Sequence, residues 1–417
     1  MKESRQQEIH LQCVQPRGFF IALSVLRGER PVLDAEDIVE AIQCAAFLQV
    51  APLTRHLVSL VNSDNCLLMC HTAATFGLGD LHHAAAVFIR NMYADLQAEV
   101  RETFPLELVA QVESLTPSVL VAVGATSQTL HSDSRTVCYL DEGVNRWKVL
   151  TELPLKASSS MAGVAVLDNK LYIIGGVQGP HKQVADSCFC YSANTNSWTS
   201  ICRLSQPRYN FSLIGVEGRL YALGGEYERI LMSSVEKYDV ISARWEFAAN
   251  LPRPAARPAC TTAMNRIFVC LWKPMETTEI YEYDPWRDEW QLVSTLIKRQ
   301  SYGHYLVGHR DCLYVIRNGP SDDFLRCLIE RYNLTTGQWS SLPGHFTNSK
   351  GSLFTGVVRG DSVLTLNRRT LEYIIDSKTW KPRRQMEGFP RSGSLWTFLL
   401  QLPEDFTSYI NTVYVSL

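Results

Sequence analysis

The sequence predicts a mainly β fold, a six-bladed β-propeller preceded by a shorter helical part, and three observations lead there. A tyrosine followed seven residues later by a tryptophan recurs along the chain, the texture changes from helical to strand-like near Pro117, and a spare apolar segment near the end matches a vacant strand position at the start of the repeats.

The helical part comes first. From about Asp34 to Pro117, Ile38, Ile42, Ala45 and Ala46 recur at three- and four-residue intervals, as a buried helix face requires. Asp34 or Asp37 can cap that helix, and Pro52 suits the first turn of the next. Asn62-Ser63-Asp64 ends the second helix, and Asn65 to Phe76, Gly77-Leu78-Gly79-Asp80 and Leu81 to Leu96 read as a helical hairpin.

Past Pro117, short apolar runs broken by Gly, Asn and Asp read as antiparallel strands. The aromatic pairs are Tyr191/Trp198, Tyr238/Trp245, Tyr283/Trp290, Tyr332/Trp339 and Tyr373/Trp380, with Tyr139/Trp147 a sixth copy one residue longer. The tryptophans lie 51, 47, 45, 49 and 41 residues apart, and such a period with strand texture points to propeller blades. In the second copy, Met161 to Leu167, Leu171 to Ile174, Phe189 to Tyr191 and a strand at Trp198 form a four-stranded meander, a to d. Alternating strand direction sends the d-to-a and b-to-c loops of every blade to one face. The first copy has its b strand at Val119 to Val123 but no a strand, so the late strand, residues 395–402, is expected to fill that slot and remove two sheet edges. Each large ring is expected to seal a blade against its neighbour rather than to bind a ligand.

Composition narrows the function. Forty basic against 42 acidic residues exclude a bulk attraction to nucleic acid or membrane. The polar start, Met1 to His10, and apolar runs far short of a membrane span predict a soluble protein without a visible export signal. Twelve scattered cysteines are read as reduced thiols of a cytoplasmic protein.

The glycine pairs Gly175-Gly176 and Gly224-Gly225, followed by the spaced tyrosine and tryptophan, resemble the Kelch repeat. The segments Ala45 to Leu57 and Asn62 to Arg90 resemble the end of a BTB domain running into a BACK segment. Together these cover nearly the whole chain, and the order BTB, BACK, Kelch is that of Kelch-like proteins. The resemblance implies a partial BTB domain at 1–61, a short BACK-like segment at 62–117 and a propeller at 118–417. It implies a substrate adaptor of a cullin-3 ubiquitin ligase, in which the helices hold the cullin and the propeller holds the substrate. By the same resemblance Met1 and Glu3, of the hydrophobic-x-Glu motif, and Asn65, Leu68 and Phe76 contact the cullin. Actin binding in a muscle setting is the competing, structural reading; pull-down with cullin-3 and cosedimentation with actin separate the two.

The chain also departs from that pattern. It begins where family members have completed the first part of the BTB domain, which puts homodimerisation in question and predicts weaker cullin-3 binding than in a complete relative. Four repeats carry Gly124-Ala125, Leu271-Trp272, Asn318-Gly319 and Asn367-Arg368 where the glycine pair belongs.

The d-to-a loops carry a basic residue in every blade, Lys156, Arg208, Arg257, Arg299, Lys350 and Arg391, with Tyr209 and Tyr302 beside two of them. On one face these would form a cationic ring suited to an acidic segment of a protein substrate; alternatively they are simply solvated or cancelled by nearby acids. Cys66, Cys70 and His71 lack the second ligand pair of a structural zinc site, and Cys188 and Cys190 share a strand face. His304 and His309 are not at a convincing ligand spacing, and His82-His83 reads as a solvated or partly packed helical pair. No nucleophile elbow, phosphate-cradling loop or cofactor motif is present, so a propeller enzyme is the minor alternative.

Overall fold

The computed structural model describes residues 14–125, 136–143, 146–179, 181–273, 277–297, 305–318, 326–342, 346–347, 355–366, 369–375, 379–385 and 396–403. The chain divides into two compact units, Met1–Pro117 and Ser118–Leu417.

The first unit is helical: α1 Pro16–Leu26, α2 Ala35–Leu48, α3 Ala51–Ser59, α4 Cys66–Phe76, α5 Gly79–Asn91, α6 Tyr93–Thr103 and α7 Leu106–Ser114. A capping box starts α2, in which Asp34 accepts from the Asp37 amide and Asp37 from the Asp34 amide. Pro52 lies in the first turn of α3, and Gly77, at φ 71°, ends α4 in the left-handed conformation that glycine adopts without a Cβ penalty. Two features depart from the sequence reading. The apolar run of α1, which precedes the helical pattern read from Asp34, is a helix that packs on α2, and a Cβ at Gly18 would lie 2.4 Å from the Glu40 carbonyl oxygen. The long second arm of the hairpin breaks at Met92, whose carbonyl oxygen already accepts from the amides of Asp95 and Leu96 and so opens α6. One core joins all these helices: Ile42 and Leu57, before residue 61, and Met69 and Leu81, after it, belong to the same buried cluster.

The second unit is a β-propeller, and among the described residues six antiparallel sheets of at least four strands are seen in it. In spatial order, inside to outside, the first is Trp396–Gln401, Ser118–Ala125, Thr136–Asp141, Arg146–Glu152, and the second Gly163–Leu167, Lys170–Ile174, Cys188–Ser192, Ser197–Ile201. The third is Ser212–Val216, Arg219–Leu223, Val235–Asp239, Arg244–Ala248, and the fourth Ala259–Ala263, Arg266–Lys273, Thr277–Asp284, Glu289–Ile297. The fifth is Tyr305–His309, Cys312–Asn318, Arg326–Asn333, Gln338–Ser341, with Phe346–Thr347 added, and the sixth Thr355–Arg359, Ser362–Leu366, Arg369–Ile374, Thr379–Gln385. The late strand Trp396–Gln401 pairs antiparallel with Ser118–Ala125, from Ser118 opposite Gln401 to Val123 opposite Trp396. Asn169, in the tight Asp168-Asn169 turn of the second sheet, holds that strand with two hydrogen bonds: its amide nitrogen donates to the Gln401 carbonyl at 3.0 Å and its oxygen accepts from the Gln401 amide at 2.8 Å. The innermost strands touch in succession from sheet to sheet, and the last returns to the first.

Candidate functional site

Each tyrosine–tryptophan pair of the second to sixth sheets is a directly opposed cross-strand pair: Tyr191 and Trp198, Tyr238 and Trp245, Tyr283 and Trp290, Tyr332 and Trp339, Tyr373 and Trp380. In the first sheet the extra residue shifts the register, so Trp147 opposes Leu140 and Tyr139 opposes Lys148. In the second to fifth sheets the two rings tilt against each other with centroids 5.1, 5.1, 4.9 and 5.0 Å apart. The indole N–H then reaches out of its own sheet. Trp198 donates to Thr151 Oγ1, Trp245 to the Cys202 carbonyl, Trp290 to the Ala249 carbonyl and Trp339 to Ser294 Oγ, each in or just after the outer strand of the preceding sheet. The repeat is therefore a latch between neighbouring sheets, combining a large, at least half-buried indole with one satisfied polar atom.

The loops that join one sheet to the next meet the loops within sheets on one face. Gln178 and Ser187 side chains donate to the Lys156 carbonyl, the Gly176 amide donates to the Arg208 carbonyl, and Gly225 N–H donates to Ala255 O at 2.8 Å. The paired glycines make this approach possible: a Cβ at Gly176 would stand 2.6 Å from Ser160 O, and one at Gly225 2.7 Å from the Phe211 Cβ.

Of the six basic loop residues the described ones are Lys156, Arg208 and Arg257, and Arg208 does not stand on the face where the spacing puts it. Arg208 is fully buried. One of its terminal nitrogens donates to the carbonyls of Gly224 and Ser234, both at 2.9 Å, and the other to Ser234 Oγ and to Glu236 Oε1 at 2.7 Å. Glu236, equally buried, also accepts from the amides of Ser205 and Gln206. Burial pulls the guanidinium pKa down, opposed by the Glu236 charge. This arginine is thus a structural clamp inside the third sheet and is not offered to a partner; a neighbouring acid two strands away cancels it, which loop position alone does not reveal. Arg253 repeats the arrangement in the fourth sheet, bonding the Leu271 carbonyl and Glu279.

Tyr209 is half-buried; its backbone bridges Glu226 and its hydroxyl accepts from the Arg229 amide. The Lys156 residue is exposed, and Arg257 lines the central channel with its guanidinium over the Trp396 ring, 5.1 Å from the centroid. Desolvation pulls the Arg257 pKa down although the residue keeps open surface, as it lines a channel with largely apolar walls. Arg299, Tyr302, Lys350 and Arg391 lie outside the described residues, as do Met1, Glu3 and His304.

On α4, Phe76 is 40% exposed at the helix end, whereas Leu68 packs partly into the core. Asn65 spends its side chain on the preceding turn, accepting from the Asn62 amide and donating to the Leu60 carbonyl, both at 2.8 Å. Cys66 and Cys70 are buried in that core, and burial pushes the Cys70 thiol up to about 12; His71 instead stacks on Phe104. Cys188 and Cys190 are buried on one face of their strand, and burial raises Cys188 to about 12. His82 is held below the ordinary imidazole range by burial, and His309 pairs with Asp361 at 3.1 Å. Among the described residues no three His, Cys, Asp or Glu side chains converge as a metal site.

Several exposed apolar groups were not singled out in the sequence. On the loop face of the propeller Ile230 and Leu231, in a short hairpin of the third sheet, are 68% and 50% exposed, and Trp272 in the fourth is 59% exposed. Two adjacent aliphatics inside a polar turn, Glu228-Arg229-Ile230-Leu231, are the signal that could have found the first pair.

A family model described as the Kelch motif matches residues 158–201 and 207–252, the second and third sheets, where both glycine pairs survive. The chain is 51% identical over 408 residues to Kelch repeat and BTB domain-containing protein 13 of Homo sapiens, covering 97% of this chain and 88% of the relative. The Mus musculus protein of the same name is 51% identical over 417 residues, covering 99% and 90%. Kelch-like protein 42 of Mus musculus is 27% identical over 407 residues, covering 87% and 80%. With the aromatic latches, the paired glycines and these relatives in agreement over both units, the chain belongs to the Kelch-like family of Kelch repeat and BTB domain proteins.

Proposed function

We propose that the protein is a non-catalytic adaptor of a cullin-3 ubiquitin ligase, that its six sheets are the blades of one closed propeller, and that the propeller selects the protein to be modified. The observation that carries this reading is the set of large apolar side chains left in water on the loop face, Ile230, Leu231 and Trp272. Exposed aromatic and aliphatic groups clustered among polar loops are the usual core of a protein-binding patch. With Arg208 and Arg253 committed to internal acids, the substrate segment is expected to bring apolar anchors to this face, and any acidic group it carries would meet Lys156. The BTB- and BACK-like helices would hold the cullin, with Phe76 as the exposed contact on α4.

The test is a pull-down of the full chain with cullin-3, alongside Phe76→Asp and an Ile230→Asp/Leu231→Asp double variant. The reading expects Phe76→Asp to lose the cullin while keeping substrate, and the double variant to do the reverse. Absence of cullin-3 binding by the unaltered chain, together with cosedimentation with actin filaments, would replace this reading with a filament-binding one.

A further inference from the structure

The third and fourth sheets carry large apolar residues at two equivalent places, in step with their latch tryptophans: Ile241 and Trp286 in the turn between the two outer strands, and Phe247 and Leu292 on the outermost strand. Ile241 is 97% exposed and the other three are about half exposed. The repeat does not demand this. The second and fifth sheets have Asn194 and Thr335 in the turn and Ser200 and Ser341 on the strand, all exposed too. The turn itself is the same: Asp239 accepts from the amides of Ile241 and Ser242, Asp284 from those of Trp286 and Arg287, and Asn333 from those of Thr335 and Thr336. The side chain at the tip is thus held out by a fixed backbone, and among the described residues only the third and fourth sheets, which touch each other, make both places large and apolar. At ~150–250 Å² for a large side chain, the four leave roughly 500 Å² of apolar surface in water. The largest patch on a monomer is ~300–600 Å² and often functional.

Four exposed charges stand among these groups, Arg244 and Glu246 on the third sheet and Arg287 and Glu289 on the fourth, two of each sign. The neighbouring acids are already committed, Asp239 to Arg219, Asp284 to Arg266, and Asp288 to the Ala249 amide and the Tyr283 hydroxyl. A patch neutral in sum selects neither an acidic nor a basic partner, but it matches itself. Across a two-fold axis each arginine can meet a glutamate of the other copy while apolar groups meet apolar groups. With its charged residues the patch approaches the ~800 Å² per partner that a specific interface buries.

We propose that this outer wall is a self-association surface, on which a second copy of the chain docks through Ile241, Phe247, Trp286 and Leu292 about a two-fold axis, with the four charges pairing across it. The turns between outer strands lie at the opposite end of each sheet from the loop face. The surface is therefore separate from Ile230, Leu231 and Trp272 and does not depend on the ligase reading.

Sedimentation velocity of the full chain over a concentration series tests this, and reversible self-association is expected. Giving the two sheets the residues of their neighbours, Ile241→Asn, Phe247→Ser, Trp286→Thr and Leu292→Ser together, should weaken it at least ~30-fold, the worth of one aromatic hot spot. Two further variants leave the apolar groups in place and change only exposed positions. Arg244→Glu/Arg287→Glu makes the patch acidic and Glu246→Arg/Glu289→Arg makes it basic. Each alone should associate at least ~10-fold more weakly through like-charge repulsion, and an equimolar mixture of the two should recover the association of the parent. If circular dichroism shows that the fourfold variant does not fold, the charge variants and their mixture decide alone. A parent that stays monomeric at every concentration, an association that the variants leave unchanged, or a mixture no stronger than its components would overturn the proposal.

Discussion

Two loops of the propeller, residues 202–211 and 249–258, are equally long and place their basic residues differently. Each places a Pro-Arg step ahead of an innermost strand: Pro207-Arg208 before Ser212, and Pro252-Arg253 before Ala259. Each arginine folds back to an acid on the third strand of the next sheet, Glu236 or Glu279. Both loops are ten residues long, but the clamp arginine comes two residues earlier in the second, and Arg257, which lines the channel, stands at the position that Asn210 has in the first. A basic residue in such a loop therefore takes its role from the acid or ring it meets once the sheets have packed, not from its presence in the loop. Buried bases elsewhere take a different course. His56 in α3 is 1% exposed and its Nε2 lies 3.3 Å from the Pro31 carbonyl; desolvation, reinforced by the Arg30 charge, lowers its pKa to about 4. Arg208 keeps its charge because Glu236 is buried with it, whereas His56 gives its charge up.

The strongest test of this contrast is Arg208→Met. It strands the Glu236 carboxylate in a dry interior, and the expected loss of stability is ~3–5 kcal/mol in urea unfolding. Adding Glu236→Gln should restore part of it; a single variant as stable as the parent would mean that the clamp contributes nothing. The next effect is a pH dependence. The folded pKa of His56 lies below its unfolded value, so the unfolded chain binds more protons and the histidine's contribution is complete above about 6.5. That contribution falls away as the pH drops toward 4, by ~2 kcal/mol between pH 7 and pH 5. His56→Leu should flatten that slope in melts of the protein at the two pH values. Arg253→Met should cost less than Arg208→Met, ~1–2 kcal/mol, because water reaches the Arg253–Glu279 pair and screens it. A cost equal to that of Arg208→Met would erase the distinction between the two clamps.

Much of the propeller was legible because a sheet repeats its local chemistry. A tyrosine and a tryptophan seven residues apart fall opposite each other across a tight turn, so Tyr238 and Trp245 could be paired on the page, and the Trp147 copy, one residue longer, shows that the register slips when the spacing does. The capping residues Asp34 and Asp37 and the stop at Gly77 were also readable, since caps depend on a few adjacent residues. Helix α1 was not, because a short continuous apolar run has no periodicity until something packs on one side of it. The fate of Arg208 was likewise hidden, as its partner is 28 residues away and arrives through strand pairing.

Repeat spacing, caps, turns and the change of period near Pro117 come from the sequence by itself, because they are set by interactions among residues close along the chain. Which arginine is buried and which apolar groups stay in water are decided only by the tertiary structure. Those outcomes depend on desolvation and on partners from other strands, and both exist only once the sheets have packed.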